Sequence, residues 1–357
     1  MGTASTCGNR PDVSVIVPAR NEQASIGGCL QSLVQQTGIT FEIIVVDDGS
    51  TDGTRGIANS FPEVRVVSPP ELRPNWTGKN NAIAAGARKA AGKWLLFTDA
   101  DTLHLPGSLA RAVTEASAHG AALLSYSPEQ EVHGFWQHAV MPVVFAELAA
   151  TYRPVLVNDP ASLAAAANGQ YLLVSREAYE AVGGHEVIAG EILEDVALAR
   201  TIKRSGRSIR FRYGADAVRA RMYRGFGQLR EGWTKNLALL FKRPVHLAWT
   251  RLIEFACLGT GAVLTITAAQ TRPILALTAG AATAAVYGLF LKRILKAHFS
   301  WRSNVLGIFG LPIFAYLLWR SKLSHEEGNV TWKGRVYGRA ATTGPEQSRI
   351  ITMGSLR

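Results

Sequence analysis

Between Asp12 and about Gly214, short apolar runs alternate with longer stretches of mixed polarity. The runs Val13–Val17, Glu42–Val46, Val64–Val67, Trp94–Thr98 and Ala121–Tyr126 show little polar alternation, the pattern of strands buried on both faces of a mainly parallel sheet. The stretches between them predict helices over Ala24–Gln36, Thr54–Ser60, Asn81–Ala91 and Pro106–His119. Such strand–helix alternation predicts an α/β layered domain over 12–215, with its ligand site at the carboxyl ends of the strands. Three polar clusters fall at those ends: Pro18-Ala19-Arg20-Asn21-Glu22, Asp47-Asp48 and Asp99-Ala100-Asp101.

After Gly214 the pattern changes. Ala217–Arg243 carries Arg219, Arg221, Arg224, Arg230, Lys235, Lys242 and Arg243 against the single acid Glu231, interleaved with aromatic and aliphatic residues. This predicts a basic amphipathic segment over 216–247 that lies on a membrane surface. Three apolar runs follow, Ile253–Ala269, Ile274–Leu291 and Val305–Leu318, and predict two to three membrane helices within 248–320. Gly307, Gly310 and Pro312 leave the third as either a full span or a re-entrant hairpin. Lys292, Arg293, Lys296 and Arg302 favour a cytoplasmic loop before it. Residues 321–357 read as a polar tail with one apolar-basic patch, Val330-Thr331-Trp332-Lys333-Gly334-Arg335.

Composition narrows the class. Of the 357 residues 18% are charged, a low share that suits a soluble domain joined to membrane segments. A net charge of +11 favours anionic partners such as nucleotide phosphates or anionic lipids. Cys7, Cys29 and Cys257 are odd in number and far apart, which argues against a disulfide framework and for a cytosolic catalytic portion. Residues 1–11 lack the apolar core of a secretory signal and read as a flexible tail, although Gly2 and Thr6 formally fit a myristoylation pattern. The expected location is therefore the cytoplasmic (inner) membrane, multi-pass, with the catalytic domain on the cytoplasmic side.

Several residue groups can carry chemistry. Asp99 and Asp101, two carboxylates closing an apolar strand, can hold a divalent ion between the phosphates of a ligand. Carboxylates beside the Pro18–Glu22 turn and Asp47-Asp48 can accept from a base N–H and ribose hydroxyls. In Trp76-Thr77-Gly78-Lys79-Asn80-Asn81, a loop lysine before a helix is placed to meet a phosphate. In Gly190–Leu198, apolar Ile192, Leu193, Val196 and Leu198 predict a helix whose other side carries Glu191, Glu194 and Asp195, one of which can act as general base. Ser50-Thr51-Asp52-Gly53 reads as helix capping.

These elements, in this order over roughly Asp12–Asn236, resemble glycosyltransferase family 2, the inverting enzymes with the GT-A fold. The resemblance implies a GT-A nucleotide-binding domain, followed here by an interfacial helix and C-terminal transmembrane helices. It implies that Pro18, Ala19, Arg20, Glu22 and Asp47 hold the nucleoside. Asp99 and Asp101 would hold ribose and a Mg²⁺ or Mn²⁺ ion, with Lys79 on the diphosphate. Asp195 would be the base, with Glu194 its competitor. Gly183-Gly184-His185 looks like the family's approach to the acceptor, and Gln170 and His185 are candidates for that side. Thr77-Gly78-Lys79, Asn168-Gly169-Gln170 and the apolar tail look like the branch that glycosylates carotenoid, hopanoid-associated or ceramide-type lipids. Long-chain polysaccharide synthases carry Gln-x-x-Arg-Trp. Here Gln228-Leu229-Arg230-Glu231-Gly232-Trp233 has its ingredients at altered spacing, leaving Arg230 and Trp233 as weaker candidates for phosphate or acceptor contact.

The expectation is an inverting, single-step transfer of one sugar, glucose first, from a UDP-sugar (GDP-sugar second) to a hydroxyl of a lipid-like acceptor. Processive or polyprenyl-phosphate-directed transfer is the alternative within the class. A nucleotidyltransferase would present a glycine-rich phosphate loop after Val17, where Pro18-Ala19-Arg20 stands instead. The non-enzymatic rival is a basic nucleic-acid or anionic-lipid binding module, which a thermal-shift screen separates by whether UDP plus Mn²⁺ or an oligonucleotide alone stabilises the chain; no nucleic-acid partner is expected.

Overall fold

The computed structural model describes residues 10–337. They form two compact units: one holds residues 10–131, Tyr152–Met222 and residues 333–337, the other Val132–Thr151 and Tyr223–Trp332.

In the first unit the strands, in chain order, are β1 (Val13–Ala19), β2 (Phe41–Asp47), β3 (Val64–Val67), β4 (Trp94–Phe97), β5 (Thr102–His104), β6 (Ala121–Ser127), β7 (Glu129–Gln130), β8 (Leu172–Ser175), β9 (Ser208–Tyr213) and β10 (Val218–Ala220). Seven form one sheet in the order β3-β2-β1-β4-β8-β6-β9, while β5, β10 and β7 form a small second sheet. All neighbours in the large sheet run parallel except β8, which is antiparallel to both β4 and β6. The mainly parallel α/β architecture expected from the sequence is therefore present. Its cause is visible in β1. Val13, Val15 and Val17 join one apolar cluster and Ile16 the other, so both faces are buried and the run is apolar but for Ser14, which is itself buried.

Helices α1 (Ile26–Val34), α2 (Thr54–Asn59), α3 (Gly78–Lys89) and α4 (Ser108–Ala118) connect the first strands. Helix α3 starts three residues earlier than expected, because the Thr77 side chain caps it by accepting from Asn80 N–H over 3.1 Å. Lys79 thus sits in a helical first turn rather than in a loop. The chain then passes through the second unit over Val132–Thr151, which contains α5 (Gly134–Thr151), after which α6 (Pro154–Val157), α7 (Arg176–Ala181) and α8 (Glu194–Arg204) complete the first. Helix α8 begins at Glu194, so Glu191, Ile192 and Leu193 precede it rather than lying on its faces. Asn80 Nδ2 lies 2.8, 2.9 and 3.0 Å from the carbonyl oxygens of Ile188, Ala189 and Glu191, which ties this segment down ahead of the helix.

The second unit is helical: α5, α9 (Phe226–Leu240), α10 (Pro244–Ala268), α11 (Pro273–Ile294) and α12 (Trp301–Glu327), ending in β11 (Val330–Trp332). Among the described residues, four helical stretches are long and apolar enough to cross a membrane: Gly134–Val157, Pro244–Ala268, Pro273–Ala297 and Trp301–Glu327. The first has no counterpart among the apolar runs read from sequence, since Gln137, His138, Pro142 and Glu147 interrupt it. Those polar groups are met inside the unit: Gln137 Nε2 donates to Tyr223 O over 2.9 Å, and His138 Nδ1 lies 2.8 Å from Ser303 Oγ. The third apolar run is one continuous helix with Pro312 inside it, not a re-entrant hairpin. A Cβ on Gly310 would stand 2.0 Å from the Ala139 carbonyl oxygen, so this glycine serves close packing of α12 on α5.

Glu147, Arg251, Glu254 and Arg293 form a closed ring of opposite charges in the same unit. Glu147 Oε1 is 3.2 Å from Nε of each arginine, and Glu254 Oε2 is 2.5 and 2.8 Å from their terminal nitrogens. Arg293 is therefore an internal ion-pair partner in the last turn of α11 and not the free loop charge that the topology reading assumed.

Candidate active site

The carboxyl ends of β1, β2 and β4 gather the polar clusters on one rim. The turn after β1 is stitched to the loop after β2 by side chains. Arg20 Nη1 donates to Asp48 O over 2.6 Å, Thr51 N–H donates to Asn21 Oδ1 over 2.9 Å, and Glu22 N–H donates to Thr54 Oγ1 over 2.7 Å. Asn21 takes φ 54° to make this turn. Residues 50–54 stitch rather than cap: the N-cap of α2 is Gly53, which offers no side-chain cap, while Asp52 Oδ1 accepts from Thr54 N–H over 3.0 Å and Asn21 N–H donates to Ser50 Oγ over 3.0 Å. Pro18 and Ala19 lie in β1 itself, in register with Val46 and Asp47.

The two aspartates after β2 differ. Asp47 is buried and engaged by Arg55 at 3.3 Å. Asp48 turns towards the rim, where Arg335 holds both of its oxygens. The sequence names both aspartates as acceptors and the family resemblance singles out Asp47, because nothing in a double aspartate says which member faces out. Glu22 is likewise paired, with Lys333.

Lys79 sits at the centre. Its ammonium lies 2.7 Å from Asp99 Oδ1 and 2.6 Å from Glu194 Oε1, joining the strand-end carboxylate of β4 to the start of α8. Burial works to lower its proton affinity, yet the Asp99 and Glu194 charges hold it well above the usual lysine range. Asp101 is the least compensated acid here. Burial, with the nearby Asp99 and Glu22 charges, pushes it up to about 7, and its buried Oδ1 has no hydrogen-bond partner. A buried, unpartnered carboxylate oxygen beside a second carboxylate fits a divalent cation. Among the described residues no three His, Cys, Asp or Glu side chains cluster to hold a metal on their own. An Asp99/Asp101 site would thus need ligand oxygens from outside the chain, as Mg²⁺ sites that also use substrate phosphates do.

Asp195 is aimed by backbone. Its Oδ2 accepts from Gly169 N–H and its Oδ1 from Val196 N–H, each over 2.8 Å. Burial and the neighbouring Glu194 charge push it up to about 6. Gly169 is positioned here because β8 runs antiparallel, which brings the segment before it to the same rim as the segments after β1, β2 and β4. A Cβ on Gly169 would lie 3.1 Å from both Lys79 Nζ and Glu194 Oε1. Lys79, Asp99, Glu194, Asp195 and Gly169 are therefore one constellation.

The remaining candidates lie elsewhere. Gln170 is buried, its Oε1 accepting from Gln130 Nε2 over 3.1 Å and its carbonyl from Thr98 Oγ1 over 2.8 Å. His185 is buried against Phe97, 2.9 Å from the Tyr179 hydroxyl, and burial with the Lys79 charge pulls it down to about 3, so it is neutral. Arg230 is exposed on α9, and Trp233 is buried on the same helix among Phe145 and Tyr223. Asp48, Gly169, Lys333 and Arg335 are the residues the sequence reading did not assign.

Residues 14–183 match the family model described as glycosyl transferase family 2. The chain is 28% identical over 348 residues to a 4,4'-diaponeurosporenoate glycosyltransferase of Staphylococcus aureus (strain USA300), covering 92% of this chain and 89% of that one. The version from strain MRSA252 is 29% identical over 354 residues, with 92% and 89% covered. Among solved structures, a mannosyltransferase from Pyrobaculum calidifontis in complex with GDP-Man and Mn²⁺ superposes with a TM-score of 0.50 at 20% identity, over 88% of this chain and 87% of that one. That likeness is one of fold.

Proposed function

With residues 14–183 forming a glycosyltransferase family 2 domain, we propose that the chain is a membrane-bound, inverting, metal-dependent hexosyltransferase that moves one sugar, glucose first, from a UDP-sugar to a hydroxyl of a lipid-like acceptor. The observation that carries this is Lys79 bridging Asp99 and Glu194, which puts donor-side carboxylates and a candidate base on one rim. A GDP-sugar is the second donor, favoured by the nucleotide bound to the P. calidifontis enzyme. The name of the S. aureus relative supports a carotenoid-type acceptor, and the four apolar helices support a reaction at the membrane with the catalytic unit on the cytoplasmic side.

In this reading Asp195 accepts the proton of the acceptor hydroxyl, whose oxygen bonds to the anomeric carbon from the face opposite the leaving group. The bond from that carbon to the diphosphate oxygen breaks, and the electron pair leaves with the nucleoside diphosphate. The N–H groups of Gly169 and Val196 hold the Asp195 carboxylate in one orientation. Lys79 offers positive charge where negative charge develops. A divalent cation held by Asp99 and Asp101 would neutralise further charge on the leaving diphosphate. Glu22, Asp48 and Arg20 line the nucleoside side of the rim.

The direct test is to incubate the full-length protein, in native membranes, with UDP-glucose or GDP-mannose and a carotenoid-containing lipid extract, and to follow the lipid fraction by mass spectrometry. A lipid heavier by one hexose is the expected product. Release of free sugar with no glycosylated lipid from either donor would overturn the proposal.

A further inference from the structure

The rim neutralises its own carboxylates with two cations from the far end of the chain. Lys333 and Gly334 take φ 47° and 76°, a tight turn leading into β12 (Arg335–Tyr337). The turn delivers the Lys333 ammonium to Glu22, after β1, and the Arg335 guanidinium as a fork to Asp48, after β2, with Nη2 to Oδ1 at 2.9 Å. Arg335 lies so close over Gly78 that any Cβ there would overlap its guanidinium. It therefore stands beside the first turn of α3, next to Lys79. Both side chains keep about a quarter of their surface exposed, 28% for Lys333 and 24% for Arg335.

An anion entering this rim meets Glu22, Asp48, Asp99, Asp101 and Glu194. Lys79 is already shared between two of them, so one lysine does not offset the repulsion of a diphosphate. The two further cations are mounted on flexible stems, and a guanidinium fork matches phosphate oxygens as well as it matches a carboxylate.

We propose that Lys333 and Arg335 are ligands of the donor's diphosphate, parked on Glu22 and Asp48 until a nucleoside diphosphate takes them over. This rests on the donor-site reading above. The exchange is of partners only, with no covalent step. It makes residues 333–337 part of the nucleotide site rather than a polar tail.

The test uses the full chain in lipid nanodiscs with Mn²⁺ present, titrated calorimetrically with UDP, GDP and uridine. Lys333→Met and Arg335→Met should each weaken UDP or GDP binding by about 10- to 100-fold, the worth of one hydrogen bond to a charged group. Uridine, which has no phosphate, should bind as in the wild type, and this also reports that each variant is folded. Arg335→Lys, keeping the charge but not the fork, should fall between. Nucleotide binding unchanged or tightened in both Met variants would overturn the proposal and leave the two cations as neutralisers of Glu22 and Asp48 alone. A wild-type chain that binds neither UDP nor GDP would instead overturn the donor-site reading, whatever the variants do.

Discussion

The backbone N–H of Gly169 donates to Asp195 Oδ2 across 2.8 Å, and the space a side chain would fill at Gly169 is where Lys79 and Glu194 meet. A single alanine therefore presses on Lys79 and Glu194 and comes into contact with Asp195. Gly169→Ala should leave the fold intact, since the crowded atoms are ends of flexible side chains. The few tenths of an ångström they must yield should lower kcat by about 10- to 100-fold, because catalytic groups tolerate little misplacement. Steady-state kinetics beside a melting curve checks this. Wild-type kcat in the alanine variant would show that the close approach has no catalytic consequence.

The raised value of Asp195 sets a pH limb. Its folded value of about 6 lies above the ordinary 3.8, so the carboxyl is protonated below about pH 6 and ionised above it. A base must be ionised, so the transfer rate should fall as pH drops through about 6 and stay level above. The same elevation slightly disfavours the fold as pH rises from 3.8 to about 6, so activity and stability should move in opposite directions across that window. Asp195→Asn should cut turnover by about 10²–10⁴-fold and erase the limb while nucleotide affinity holds. Should Glu194→Gln produce these effects and Asp195→Asn none, the base is Glu194.

Asp101 offers the clearest test of metal use. Asp101→Asn should abolish the Mn²⁺-dependent part of UDP binding measured by calorimetry. Full turnover of the wild-type enzyme in excess EDTA would rule out a metal requirement altogether.

In the helical unit, removing one member of the four-charge ring leaves an unbalanced buried charge. Arg293→Met should destabilise by about 3–5 kcal/mol in detergent denaturation, and adding Glu147→Gln should restore much of the loss. If the single variant melted with the wild type, the ring would be reduced to a surface-grade ion pair.

Membrane attachment is tested by extraction. The full chain should stay in the pellet through carbonate and high-salt washes, and its release would sink the spanning reading. Truncation after Arg243 removes α10, α11 and α12 but keeps the apolar α5, so that fragment should still sediment with membranes.

The sheet was legible because strands buried on both faces leave mostly apolar runs with few polar positions, and β1 to β4 and β6 fall on the runs read from sequence, within two residues at each end. The constellation of Lys79, Asp99, Glu194 and Asp195 was legible as separate motifs. The start of α8 was not, because the three carbonyls that Asn80 engages lie more than a hundred residues away along the chain. Helix α5 was hidden for a similar reason: its polar residues look like interruptions until Ser303, Tyr223, Arg251 and Arg293 supply their partners. Lys333 and Arg335 gave only a basic patch, and pairing over 311 and 287 positions leaves no local trace.

Those two long-range pairs also bear on the order of events during synthesis. Glu22 and Asp48 emerge from the ribosome early, whereas their cationic partners follow every one of the four apolar helices. A nascent chain can complete its sheet before α10, α11 and α12 are made, but Glu22 and Asp48 lack these two partners until residues 333–335 follow. A chain stalled among its apolar helices therefore carries the carboxylate rim without two of its cations.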